Sequence, residues 1–558
     1  MGNAITSKFD IPENHCAEAG LGWKIYHGKT KDEKPKDISV WICSKDALSK
    51  LDPAPDRTTC DALFQVMTRD CEIMKNMVDN PHIVKPLECF HDKGRILCFS
   101  TERVICSLAD MLKGFRHIPG GLGESLNVHF DVDNPAGVPS LSEAEISRGI
   151  YNVAEGIQFL HHIQRRMHLD VCPDNIMITP GGTWKLCGFG HSLTYKDEDY
   201  MIQNYPYFAS PLKDSHIVRL EPNLNYGSPE ITTGGYDMGG RRTVTIAADI
   251  FSLGLVAYDT YAYCLGQVPF GTATSKPTFE SLVTIANNSA VQHALGITVV
   301  DSVHENSPGI PGQFGSLLKS MLARSTGARA SGVEVSNSPF FNTGALAVLR
   351  GIDALAARDI GSQASQLMAL PPQIMSLPGR LLEGAVLPAL CRLCRSTPAL
   401  WTYTLPLMVF IADRCQSSTG YANVCHSFLA EALKNRGDGT ADTVLAFIRH
   451  MEHLFDKFPI DFYAEHCIKF LGEVIAMDSN TVKACAIYTL CSRNSRSCIS
   501  PKQMQNFVLP AVCKEACKCA DDKVRCYGIY FMSLVTKQLD ATYVSANFVP
   551  SIKYIIGD

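Results

Sequence analysis

The 558-residue sequence has no long hydrophobic run, no surplus of basic charge and no disulfide framework. Its best apolar run, Leu405 to Ala412, falls well short of the roughly 20 residues a membrane-spanning helix needs and carries Pro406. The first residues lack the apolar core of a signal peptide. With 51 basic against 56 acidic residues the net charge is -5, which argues against an electrostatic footprint for nucleic acid. The 22 cysteines show no paired spacing, and a chain this long needs no bridges, so they are expected to be reduced, buried thiols of an intracellular protein. Cys391-x-x-Cys394 and Cys513-x-x-x-Cys517-x-Cys519 fall within helical stretches and lack a companion pair at zinc-finger spacing. What remains is an ordinary globular composition, 46% hydrophobic and 19% charged, long enough for two or three domains.

The informative stretch is 168–190, His-Leu-Asp-Val-Cys-Pro-Asp-Asn followed by a hairpin and Cys187-Gly188-Phe189-Gly190. It resembles the protein-kinase pattern H-R-D-x-K-P-x-N and then D-F-G. Three chemical slots have changed: arginine to Leu169, the phosphate-contacting lysine to Cys172, and the metal-binding aspartate to Gly188. Asp170 survives at the catalytic-base slot, where it could accept a hydroxyl proton. Asn175 survives at a metal slot but carries no charge, which makes it a poor magnesium ligand. His168 is expected to anchor the loop rather than to carry protons.

The preceding residues show the same losses. Residues 16–28 stand where a kinase has its G-x-G-x-x-G hairpin over the phosphates, and of its glycines Gly20 and Gly22 remain. The strand-like segment 37–42 fills the V-A-I-K slot with Trp41 in place of lysine; an indole cannot hold phosphate but can fill the space. Lys45, four residues on, is the nearest substitute cation, either reaching inward or solvated. A helix over 59–78 leads to Asn80-Pro81-His82-Ile83-Val84, which resembles the H-P-N-I-V turn. Counting back from Pro81 puts the ion-pairing glutamate slot near Cys71. Glu72 is turned about 100° from that slot and reads as a surface residue. Strand 95–102 follows.

The skeleton of the second lobe is kept. Residues 113–140, rich in Gly, Pro and Asn, read as an inserted loop. Residues 141–162 read as a helix, with Ile146, Ile150, Val153, Ile157 and Leu160 at helical spacing. Tyr226-Gly227-Ser228-Pro229-Glu230 resembles A-P-E, and Ala248-Asp249-Ile250-Phe251-Ser252-Leu253-Gly254 resembles D-x-x-S-L-G. By that resemblance Asp249 accepts hydrogen bonds from the catalytic-loop backbone and Glu230 pairs with Arg329. Residues that shape the lobe are thus present while those that grip phosphate and metal are mostly gone. Phosphoryl transfer depends on such charges, each worth about 3 kcal/mol by analogy with one oxyanion-hole donor.

From about residue 343 strand signals stop. In 444–455 an apolar stripe runs through Val444, Phe447, Ile448, Met451, Leu454 and Phe455. Asp478-x-x-x-Val482-Lys483 recurs as Asp521-Asp522-Lys523-Val524-Arg525, and Leu387-Pro388, Leu405-Pro406, Leu509-Pro510 and Val549-Pro550 are read as helix starts. A spacing near 42 with these marks predicts HEAT repeats. The expected fold is an α+β, two-lobed protein-kinase-like domain over 1–342, then an all-α HEAT-repeat solenoid over 343–558.

The ordered set Gly22-Trp23-Lys24-Ile25, Pro173-Asp174-Asn175-Ile176, Trp184-Lys185-Leu186-Cys187-Gly188-Phe189 and Ser338-Pro339-Phe340-Phe341 resembles the SCY-one-like pseudokinases, in the branch of the coated-vesicle-associated kinase. The resemblance implies a catalytically impaired scaffold in clathrin-linked traffic between the trans-Golgi network and endosomes. Clathrin- and adaptor-type proteins would be its partners, on the cytoplasmic face of Golgi, endosomal or coated-vesicle membranes. No cofactor is required; ATP with magnesium is the one the pattern leaves open. Asp170 stands where that branch has lost its acid, so the alternative is a weakly active Ser/Thr protein kinase using Asp170. The family's polar tail, expected to engage clathrin and adaptors, is not expected within these residues. Met1-Gly2-Asn3-Ala4-Ile5-Thr6 fits the myristoylation pattern, which makes Gly2 either a lipid acceptor or a chance N-terminus, and one such chain gives only reversible membrane binding.

Overall fold

Six short strands rich in β-branched and aromatic residues form an antiparallel sheet near the N-terminus: β1 (Phe9–Asp10), β2 (Ala17–Ala19), β3 (Trp23–Thr30), β4 (Asp37–Ser44), β5 (Glu88–Asp92) and β6 (Ile96–Glu102). The order is β1-β3-β4-β6-β5, with β2 also paired to β3. The register sets Trp41 opposite Ile25 on one side and Phe99 on the other. Helix α1 (Arg57–Asn76) covers the sheet. Its start is fixed by Asp56, whose carboxylate accepts the Thr59 N–H at 2.6 Å.

The structure is a computed structural model that describes residues 3–20, 22–32, 35–50, 56–92, 94–112, 141–196, 200–203, 205, 222–223, 226–232, 243–264, 312–415, 418–455 and 457–556. Gly2 and the predicted insertion at 113–140 lie outside them. Among the described residues no single helix is long and apolar enough to cross a membrane.

The second lobe is mainly helical. Helix α2 (Glu143–His162) begins at a capping box, with Ser142 and Glu145 bonding each other's backbone. It packs against α3 (Ala247–Cys264) and against a small sheet of β7 (Cys106–Ser107), β8 (Ile176–Ile178) and β9 (Trp184–Leu186). The turn after α1 joins this sheet: the Leu186 N–H donates to the His82 carbonyl, and the Val84 N–H to that of Leu186, each at 2.9 Å. One continuous apolar core runs through both lobes, from Trp23 and Trp41 to Phe314 and Phe341.

The chain divides into two units, Met1–Ala347 and Val348–Asp558. The second is all-helical, a helical-repeat solenoid. Helices α4 (Trp401–Arg414), α5 (Ala441–Phe455), α6 (Asn480–Leu490) and α7 (Asp522–Val535) start at intervals of 40, 39 and 42 residues and pack in succession. In a second layer Leu387–Ser396 packs on Ser418–Asn435, and this on the π turn Tyr463–Cys467 that leads into Ile468–Val474. Similar π turns at Leu382–Val386 and Met504–Val508 place the three starts 81 and 41 residues apart, two repeats and one.

Two of the four predicted helix starts are corrected. Pro406 lies inside α4 and Pro550 inside Ala541–Ile556. In α4 the buried Leu405, Leu407 and Met408 hold the helix together despite the N–H that proline cannot donate. Leu387-Pro388 and Leu509-Pro510 mark where α-helix resumes after a π turn.

Candidate functional site

The site begins with Trp41 on β4. Its ring is buried, stacks on Phe99 with centroids 5.1 Å apart, and meets Trp23 edge-on at 6.4 Å. The Trp41 indole N–H donates to Thr101 Oγ1 at 3.0 Å. Among the described residues the lysine slot therefore holds apolar rings in place of a cation, with the N–H groups of both indoles satisfied. Lys45 does not replace one. It starts the short helix Lys45–Leu48, lies over Phe64 and pairs with Asp61 at 2.6 Å on the half-exposed side of α1.

The acid on α1 is Asp70, which the sequence reading missed. It is 2% exposed and accepts the Trp23 indole N–H at 2.8 Å and the backbone N–H of Phe189 at 2.7 Å. Counting from Pro81 pointed to Cys71, which is buried but contacts Cys89; Glu72 is exposed. The buried positions Cys60, Leu63, Phe64, Met67, Asp70, Cys71 and Met74 trace one helical face, and that stripe was the available signal. Burial pushes the Asp70 carboxyl up to about 6, against the lowering effect of its two hydrogen bonds and of His191.

The glycines that remain have taken a different task. Gly20, at φ 54°, donates its N–H to the Asp174 carbonyl at 3.0 Å, so the hairpin end is bound directly to the catalytic loop. A Cβ on Gly20 would come within 3.2 Å of Asn175 Oδ1. On Gly188, at φ 78°, a Cβ would lie 2.0 Å from the same oxygen. The Asn175 side chain thus fills the space that any larger residue at 188 would need. Gly22 packs on Leu48, whose Cδ2 would be 2.7 Å from an added Cβ.

Asp170 is in place but engaged. One carboxylate oxygen accepts from Asn175 Nδ2 at 2.9 Å and His191 Nδ1 at 3.3 Å; the other accepts the Asn223 N–H at 2.7 Å. The Cys172 thiol is buried beside it and burial holds its pKa well above the ordinary value, so it is neutral. His168 donates from Nε2 to the Cys187 carbonyl at 2.9 Å and accepts the Asp170 N–H at Nδ1, at 3.2 Å. Burial lowers its pKa, and this neutral ring is an anchor of the loop.

The supporting residues form a second network. Asp249 accepts the backbone N–H groups of His168 at 2.8 Å and Leu169 at 2.7 Å, and His161 Nε2 at 2.8 Å. Burial works to raise its pKa, but the His161 hydrogen bond and the neighbouring imidazoles outweigh it and the value ends below normal. These bonds hold Leu169 at φ 65°, a strained value for leucine. Its side chain packs with Met167, Tyr195 and Tyr205, so the arginine slot is apolar. Arg329 and Glu230 form a bidentate pair at 2.7 and 3.0 Å, and Arg329 also donates to the carbonyls of Ala247 and Ala323.

A magnesium–nucleotide complex can be tested against this donor set. Asn175 Oδ1 is buried without a hydrogen-bond partner, as a former metal ligand would be. It is a neutral oxygen, Gly188 adds no side-chain oxygen, and the Asp170 oxygens already accept hydrogen bonds from Asn175, His191, Asn223 and the Cys172 thiol. Magnesium needs several oxygen ligands, normally with carboxylates among them. The residues present do not fit the complex.

Residues 47–341 match the protein kinase domain family. The chain belongs to that family. The match starts beyond the altered hairpin and Trp41. Among curated proteins the chain is similar to SCY1-like protein 2 of Homo sapiens and of Mus musculus, 23% identical over 562 residues, covering 100% of this chain and 55% of each relative. It is also similar to the protein kinase domain-containing protein ppk32 of Schizosaccharomyces pombe, 24% identical over 391 residues, 69% of this chain and 47% of that one. Within the kinase family it is a SCY1-like member. The chain spans about half the length of the first two relatives.

Proposed function

We propose that this SCY1-like chain is a catalytically impaired, kinase-like scaffold serving clathrin-linked membrane traffic between the trans-Golgi network and endosomes. The observation that carries the loss of catalysis is the Asn175 side chain packed against Gly20 and Gly188, where phosphate and metal would need room and charge. The trafficking role is supported by the ordered motifs that resemble the coated-vesicle-associated branch. On this reading the protein is peripheral on Golgi, endosomal or coated-vesicle membranes. It needs no cofactor and binds no nucleic acid. It engages clathrin- or adaptor-type proteins through the kinase-like unit and the helical repeats, which we assign to the HEAT type. Stacked repeats of this kind offer an extended surface for such partners.

The test has two arms. Mg-ATP added during thermal unfolding should leave the transition in place, whereas binding would raise it by mass action. Purified clathrin and adaptor complexes should be retained by the immobilised chain; no retention would remove the trafficking assignment and leave the first arm standing.

The second reading, a weak Ser/Thr kinase, is favoured by one observation: Asp170 keeps its carboxylate beside the former metal position. It predicts phosphate transfer that Asp170→Asn abolishes. Equal rates in the two proteins would end it. Acylation at Gly2 is a separate proposal, which an unchanged membrane fraction for Gly2→Ala would remove.

A further inference from the structure

Two thiols from different elements meet at the edge of the N-terminal sheet. Cys71 lies on the inward face of α1, directly after Asp70, and is 2% exposed. Cys89 lies on β5, the edge strand, paired across to Phe99, and is half-buried. The Cys71 S–H donates to the Cys89 sulfur at 3.8 Å. Cys89 is thus the less buried of the two thiols, packed at the margin of the core, and Cys71 lies deeper.

The electrostatics divide the two roles in the same way. The hydrogen bond from Cys71, aided by the Lys75 ammonium and opposed by burial, lowers the Cys89 thiol below the ordinary cysteine value. The same contact, with burial and the nearby Asp70 charge, pushes Cys71 far up. The contact thus favours the thiolate, the reactive form of the side chain, at Cys89 rather than at Cys71.

We propose that Cys89 and Cys71 form a redox-active dithiol, Cys89 reacting with a hydroperoxide and Cys71 resolving the product as a disulfide. The Cys89 thiolate attacks one peroxide oxygen. An S–O bond forms, the O–O bond breaks, and the departing hydroxide takes a proton to leave as water. The Cys71 sulfur then attacks the Cys89 sulfenic sulfur. The S–S bond forms, the S–O bond breaks, and the hydroxyl leaves with the Cys71 proton as a second water. Two thiols are oxidised and one hydrogen peroxide is reduced to two waters. The bond ties the sheet edge to α1 next to Asp70, which holds Trp23 and Phe189, so oxidation acts on the network that keeps the nucleotide cleft filled.

The full chain is treated with stoichiometric hydrogen peroxide, alkylated, digested and read by mass spectrometry. A Cys71–Cys89 cross-linked peptide, two hydrogens lighter than its parts, is expected to form before the exposed Cys526 is oxidised. In Cys71→Ser the cross-link is lost and Cys89 accumulates as sulfenic acid, trapped by dimedone. Dithiothreitol reverses the wild-type product. Both peptides recovered alkylated and unlinked, with Cys526 oxidised first, overturns the proposal. The wild-type readout stands whether or not the variant folds.

Discussion

At the scale of single residues, Asp70 has the largest consequence. It accepts two buried N–H groups from different parts of the chain, Trp23 on β3 and Phe189 beside the catalytic loop. Each donor left without an acceptor costs about 1–3 kcal/mol, so Asp70→Ala should lower stability by about 2–4 kcal/mol in urea unfolding. Asp70 also sets a pH dependence. Its pKa is raised from 3.8 to about 6 on folding, so between these values the native state binds more protons than the unfolded one. Its contribution is complete in acid and is lost as pH rises through about 6. The stability of wild type minus that of Asp70→Asn should therefore fall from pH 4 to pH 7; a rise would contradict the assignment.

Gly188 makes a second residue-scale prediction. It has φ 78° and no room for a Cβ beside Asn175, so Gly188→Asp should not restore a metal site. It should destabilise the fold by about 2 kcal/mol or more, read from chemical denaturation. Trp41, Cys172 and Gly188 were legible in the sequence because each stands at a fixed short spacing from a recognisable neighbour. Asp70 was not, because its place depends on a count along a helix and one residue turns a side chain by about 100°. The engagement of Asp170 was hidden too, since His191 and Asn223 lie 21 and 53 residues away in the chain.

At the scale of elements, the pair between Glu230 and Arg329 joins the helical turn Pro229–Thr232 to the segment before Gly332–Ser336. The Arg329 side chain is fully buried, so Glu230→Ala leaves a guanidinium unpaired there. A loss of about 3–5 kcal/mol is expected, with faster hydrogen exchange in α3 as the local sign. In the second unit Gly528 on α7 lets the helix Leu509–Lys518 approach, since an added Cβ would lie 2.6 Å from the Ala516 Cβ. Gly528→Leu should cost about 1–3 kcal/mol by overpacking, measured on the thermal transition. The recurrence of α4 to α7 was foreshadowed by Val482 and Val524, both buried at matching places in α6 and α7. The π turns were not. Pro388 and Pro510 follow two of them, but Lys469 stands at the same place after Tyr463–Cys467, so no single residue type marks them.

At the scale of the whole molecule, the first unit keeps the framework of a kinase while its cleft is closed by its own groups. Asp249, Arg329 and the turn at His82 still hold loop, helix and sheet together. Burial brings the His82 imidazole down to about 4, with Lys185 and Arg148 acting in the same direction, so this joint stays neutral at physiological pH. Trp41 on one side and Asn175 on the other fill the positions of the lysine and the metal. Calorimetric titration of the full chain with ATP, with and without magnesium, tests this most directly. The account predicts no magnesium-dependent binding up to millimolar nucleotide; saturable, magnesium-dependent binding in the micromolar range would contradict it.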